Sequence, residues 1–204
     1  MAKFSHFIAA PLLLAMAAAC SPAEVAAPPV TEGEWSVDSA ASKLSYVSVK
    51  AGDVAEANIF ETVKGNVAAD GTALIEVDLA SVNTGVDIRN ERMREIFFNV
   101  AENPSATVSA KIDPATFETL SVGQSTGYAL DATLSLKGLE APVRTDVTVT
   151  RVTDDRVLVV SDTPVIINAE SLQLTSGLAQ LQELAGLPSI TPVVPVSFSI
   201  AFTR

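Results

Sequence analysis

The sequence predicts an all-β domain, a closed antiparallel barrel of eight strands with two short helical insertions. Three observations predict it. From about Trp35 onward, apolar and polar residues alternate with period two, the mark of strands with one buried and one wet face. Turn residues punctuate the alternating runs. Only two long gaps interrupt them, and each carries apolar residues at helical spacing.

The chain begins with what reads as an address. In Met1–Cys20, Lys3 supplies a positive start, Phe7 to Ala19 is apolar around Leu12-Leu13-Leu14, and the small residues Ala17-Ala18-Ala19 precede Cys20. Such a run is too short to span a bilayer and ends like a cleavage site. Two readings stay open. In a lipoprotein signal Cys20 is acylated and becomes the first mature residue. In a plain secretory signal the cut follows Ala19 and Cys20 stays free. Ala17 stands where a lipoprotein box prefers Leu. Lipidation is still preferred, because a lone exposed thiol in an oxidising compartment is a liability. Ser21–Glu34 holds Pro22, Pro28 and Pro29 without apolar period, as a tether would. The expected plan is a signal peptide at 1–19, a lipid-anchored flexible linker at 20–34 and the barrel at 35–204.

The strands are expected near 43–50, 54–68, 73–80, 105–113, 126–137, 142–152, 156–167 and 193–203. The first places Ser45 and Ser48 among Leu44, Tyr46, Val47 and Val49. In the third, Ile75, Val77 and Leu79 face in. In the fourth, Val108, Ala110 and Ile112 do. Tyr128, Leu130, Ala132, Leu134 and Leu136 share one face of the fifth, and Val143, Thr145, Val147 and Val149 one face of the sixth. The last alternates Val196, Phe198, Ile200 and Phe202 with small or polar residues. Asp70-Gly71, Lys137-Gly138 and Asp154-Asp155 mark turns. The first gap, 81–104, sets Ile88, Met93, Ile96 and Phe97 on one helical face. The second, 168–192, sets Leu174, Leu178, Leu181 and Leu184 on another and stops at Gly186-Leu187-Pro188. Eight strands enclose room for side chains or for one small ligand.

Composition removes several functions. The formal net charge of −11 and scattered basic residues exclude nucleic-acid binding and electrostatic attachment to an anionic lipid surface. The one Cys allows no intrachain disulfide, and the one His, His6, lies in the leader. A mature chain without histidine has no His-based triad, zinc site or general base. Asp53, Asp78 and Asp131 are the carboxylates weighed for acid–base chemistry, but Asp78 and Asp131 alternate with the apolar face and should meet water. The run Asp87–Glu95 is read as a solvated helix face with ion pairs, in preference to a polar grip by Arg89, Arg92 and Arg94.

Certain residues, in order and spacing, resemble the YceI-like, or polyisoprenoid-binding, family from about Gly33 to Arg204. They are Trp35-Ser36-Val37-Asp38, Asn58-Ile59-Phe60 leading to Lys64-Gly65, and Asp78 to Gly85 followed by Arg89-Asn90. Phe97-Phe98, Asn103-Pro104 and Leu134 to Gly138 complete the set. The chain departs from the family at Ile167 to Leu172, where an Arg-Ser-Asp-Phe-Gly-like stretch is usual. The resemblance implies a lipocalin-like barrel in the periplasm that holds an isoprenoid chain, such as a polyprenyl compound or a quinone tail, with no catalytic cofactor.

On that reading Tyr46, Phe60, Met93, Phe97, Phe98, Leu130, Leu134, Leu136, Phe198 and Ile200 are the expected ligand-binding residues. Each buried isoprene unit is worth up to roughly 4 kcal/mol gross, at about 0.8 kcal/mol per carbon, so a few units outweigh ordering costs. The expected function is that of a non-enzymatic carrier or sequestering protein, anchored through Cys20 on the periplasmic side of the envelope, with Ser21 compatible with the outer membrane. Two rivals are kept: an envelope interaction module whose barrel is filled with side chains, and an enzyme acting on a bound lipid. Sequence alone does not decide whether the interior is empty.

Overall fold

The computed structural model describes residues 28–204. The expected signal, Cys20 and the first part of the expected linker lie outside the described residues. Twelve strand segments build eight staves. Four staves are broken in two: β1 (Trp35–Val37) with β2 (Lys43–Lys50), β3 (Val54–Phe60) with β4 (Val63–Val67), β5 (Thr72–Asp78) with β6 (Val82–Asn83), and β10 (Arg156–Ser161) with β11 (Val165–Asn168). The others are β7 (Ser105–Lys111), β8 (Ser125–Leu136), β9 (Leu139–Thr153) and β12 (Val193–Thr203). Each stave pairs antiparallel with its neighbour in sequence, and β1 closes the ring by pairing β4 on one side and β12 on the other. The expected strands 54–68 and 156–167 are therefore single staves with a break, not continuous strands.

The breaks have local causes. Asp38 caps a 3₁₀ turn at Ser39–Ala41, its Oδ1 accepting from the Ala41 N–H. Asp78 does the same for Leu79–Ser81. These short caps satisfy backbone donors where a ladder stops and let a stave bend around the barrel. The longest ladder joins β8 to β9 from Ser125↔Thr150 to Leu136↔Leu139. Its two-residue turn has Lys137 at φ 54° and Gly138 at φ 74°, the mirror-image turn that suits twisted hairpins.

The two gaps hold helices at one end of the barrel. The first forms α1 (Asp87–Arg92) and runs on as a π-helix, Met93–Phe98. The wider turn changes which side chains share a face. Ile88, expected to face inward, is exposed, and the consecutive Phe97 and Phe98 both turn inward. The second gap forms α2 (Thr175–Leu184), with Leu174 buried just before it, Leu181 buried within it and Leu184 exposed.

The opposite end is the base. Here the segment 28–34 is not a free tether. The Val30 carbonyl accepts from Trp35 Nε1 at 2.8 Å, and Arg204 donates to the carbonyls of Pro29 (2.9 Å), Glu32 (2.8 Å) and Pro28 (3.2 Å). The Arg204 guanidinium lies 4.6 Å above the Trp35 ring. Arg151, buried, donates to Pro28 O at 2.6 Å and Leu120 O at 3.2 Å. These contacts fasten 28–34 across the base as a strap.

Gly65 sits in β4 at φ 135°, and a Cβ there would lie 2.1 Å from Leu74 O and 2.8 Å from Ile75 Cα. Both are backbone atoms of the paired strand and cannot swing aside. Gly65→Ala is expected to destabilise the chain by about 3 kcal/mol or more, measured as the change in urea unfolding free energy, whereas Gly127→Ala, with open space around it, should cost far less.

Candidate functional site

Inward-facing side chains pack at two poles. One cluster gathers Leu79, Phe98, Leu136 and Leu172 beneath the helices, and the other gathers Trp35, Phe117, Val147 and Phe202 at the base. Along the axis runs a cavity of about 570 Å³. Small or β-branched residues keep its middle open: Ala73, Ala106, Ala110, Ala132, Val108 and Val143 line it. A barrel filled with its own side chains does not describe this interior.

All ten residues expected from sequence line this one cavity. Tyr46, Phe60, Phe98 and Phe97 form a chain of rings near the helical end, with successive centroids 5.6, 5.9 and 4.9 Å apart. Leu130, Leu134 and Leu136 come from β8, Phe198 and Ile200 from β12, and Met93 from the π-helix. Thr145, expected to face in, is absent from the lining, and its hydroxyl donates to Thr163 O at 3.3 Å. Asp131 lies outside, paired with Arg144 at 2.7 Å, and neither Asp53 nor Asp78 lines the cavity.

The polar lining gathers at the helical end, the mouth. Ser48, Lys50, Glu56, Asn58, Thr84, Arg89 and Arg92 all border the cavity. This corrects the reading of Arg89 and Arg92 as part of a solvated face. Glu56 takes Lys50 at 2.9 Å and also Arg89, which in turn donates to Thr84 O at 2.6 Å. Asn90 Oδ1 accepts from both the Thr84 N–H (2.8 Å) and its hydroxyl (2.6 Å), buried. Arg92 donates to Leu184 O at 3.2 Å and so ties α1 to α2. Asn58 Nδ2 donates to Ser48 and to Glu56 O. That leaves Asn58 Oδ1 and Arg89 Nε buried with no hydrogen-bond partner among the described residues. Burial pushes the Tyr46 phenol up to about 12, against the pull of Arg89, so it stays neutral and able to donate.

Sequence reasoning missed Lys50, Glu56 and Asn58. A signal existed: Ser48 and Lys50 are in phase with Leu44 and Tyr46, and Glu56 and Asn58 with Phe60. In-phase polar residues at the end of an inward face mark a mouth.

A hollow antiparallel barrel with a hydrocarbon wall and one polar end is a barrel of the lipocalin-like class, with room inside for a ligand. The chain belongs to the YceI-like domain family, whose model matches residues 35–202. It is similar to a solved polyisoprenoid binding domain from Saccharophagus degradans, described as implicated in plant cell wall breakdown, at 36% identity and TM-score 0.81 over 83% of this chain and 98% of that one. BcnA from Burkholderia cenocepacia, at 21% identity and TM-score 0.61 over 81% of this chain and 98% of its own, shares the fold. No curated protein matches the chain.

Hydrogen bonds from Lys50 first, and then from Arg89, hold the Glu56 carboxyl below its ordinary 4.5, against burial, which raises it. A carboxylate with a lowered folded-state pKa stabilises the native chain above its unfolded value, and that contribution is lost as pH falls through the folded value. Glu56→Gln is expected to cost up to about 1 kcal/mol at neutral pH, as for a half-exposed ion pair. The gap between variant and parent in urea midpoints should shrink as pH falls below 4.5. A gap constant down to acid pH would contradict the ion-pair account.

Proposed function

We propose that the chain binds an isoprenoid-type molecule in the barrel lumen and acts as a carrier or sequestering protein on the periplasmic side of the cell envelope, anchored through acylated Cys20. The observation that carries this reading is the cavity itself, about 570 Å³ of space running from mouth to base, with hydrocarbon along most of its length and charged side chains bordering it only at its entrance. A slender prenyl chain needs such a wall and nothing more, since apolar burial supplies its affinity. The likeness to a polyisoprenoid binding domain supports the same ligand class.

The mouth suits an oxygen-bearing head group, as in a quinone or a prenyl alcohol. Lys50, Arg89 and Arg92 bring charged N–H donors to the entrance, and donors of this kind bond strongly to a ligand oxygen. The role is binding without a chemical step: among the described residues the one carboxylate bordering the cavity, Glu56, is engaged by Lys50 and Arg89.

The test is to purify the protein from its native envelope, extract it with organic solvent and identify the contents by mass spectrometry. A prenyl-chain compound in near-equal amount to protein is expected. Ala132→Trp, which places an indole in the open middle of the lumen, should weaken prenyl quinone binding at least about tenfold, or about 1.4 kcal/mol, while the far-ultraviolet circular dichroism of the barrel is kept. Protein that carries no lipid and takes up no prenyl quinone would overturn the reading.

A further inference from the structure

A second, smaller cavity of about 120 Å³ lies at the base, between the strap and the floor of the lumen. Its walls include Val30, Thr31 and Gly33 of the strap together with Trp35 and Val157, none of which borders the main cavity. Six residues border both: Val67, Ile112, Phe117, Val149, Val159 and Phe202. The two spaces are thus separated by a partition one side chain thick. Its largest members are the rings of Phe117 and Phe202, both buried. Phe117 is set by a 3₁₀ turn at Pro114–Phe117, capped by Asp113, and its ring lies tilted against that of Tyr128 with centroids 5.4 Å apart. On the outer side the strap is held by the Arg204 and Arg151 contacts to backbone carbonyls.

The geometry points to Phe117 and Phe202 as the floor that sets the longest hydrocarbon tail the barrel accepts, with the base pocket as further apolar space beneath it. This rests on the reading of the lumen as a prenyl-chain site. A chain entering at the polar mouth lies along the barrel axis and its free end meets the two rings. Each further isoprene unit beyond that point finds no apolar space and must fold back or stay in water, so affinity stops rising with length. Removing a ring joins the base pocket to the lumen and moves the limit outward.

The experiment compares farnesol, geranylgeraniol and solanesol on parent, Phe117→Ala and Phe117→Leu proteins, the Leu variant being the milder one should the Ala variant not fold. Two readouts are taken: affinity by displacement of a bound fluorescent fatty acid, and emission of Trp35, the one tryptophan of the chain and a wall of the base pocket. For the parent, affinity is expected to rise with length up to a limit while Trp35 emission stays unchanged. For the Phe117 variants, the longest prenol should gain about tenfold relative to the shortest, with a shift in Trp35 emission specific to long chains. Leu134→Ala, which widens the lumen far from the floor, should change all lengths alike. A Phe117 series that leaves both the length profile and Trp35 unmoved, in proteins that do bind prenols, overturns the floor assignment alone. A parent that binds no prenol overturns the proposed function and this inference together.

Discussion

The lumen has to stay clear of the protein's own side chains while the shell around it stays folded. An apolar void of about 570 Å³ inside an ordinary core would cost on the order of 10 kcal/mol, by the penalty of about 24 cal/mol per Å³ measured for engineered cavities. That is comparable to the whole stability of a domain. Two features offset it here. The backbone ladder is closed, so every stave is paired on both sides for part of its length, and β1 alone joins β4 to β12. The large side chains are concentrated at the poles, where Leu172 and Phe98 pack under the helices and Trp35 and Phe202 pack over the base. A ligand that fills the remaining space stabilises the folded state further by mass action. Hollowness and ligand binding are therefore one energetic problem.

What the sequence made legible follows from the same constraint. A wall one residue thick, dry inside and wet outside, imposes strict alternation, and Tyr128 to Leu136 display it without interruption. The ten expected lumen residues fall on one cavity for that reason. The mouth was harder to read. Lys50, Glu56 and Asn58 point inward but are polar, so a reading that equates polar with outward hides them. The π-helix was hidden too, because its wider turn defeats the 3.6-residue period by which Ile88 and Phe97 were placed on one face. The strap was illegible for a different reason: Pro28, Pro29, Val30 and Glu32 are held through their carbonyls, and a carbonyl carries no side-chain signature.

The motifs that carried the family resemblance acquire physical roles. Thr84, Arg89 and Asn90 form one buried network that fixes the start of α1 at the mouth. Gly65 permits β4 to approach β5 where any Cβ would collide with backbone. Lys137-Gly138 is the tight turn that sets the β8–β9 register, and Asp38 bends the stave between β1 and β2. The departing stretch Ile167 to Leu172 makes a short turn, with Asn168 Oδ1 accepting from the Glu170 N–H at 2.9 Å, and delivers Ile167, Ala169 and Leu172 to the cavity wall. Its difference from the family pattern thus falls on the lining near the mouth, where the proposed function would put the ligand's head.

Mouth and strap stand at opposite poles, and this orders the molecule. The helices, the Glu56 ion pairs and the unpaired polar atoms of Asn58 and Arg89 are at one end. The described chain begins at the other, where Pro28 is held by Arg151 and Arg204. Under the proposed acylation of Cys20, residues 21–27 can reach at most about 25 Å at about 3.5 Å per residue. That tether acts on the base. Under that same proposal the anchor attaches at the base and the entrance lies at the opposite pole, so a ligand would enter and leave at the end away from the point of attachment.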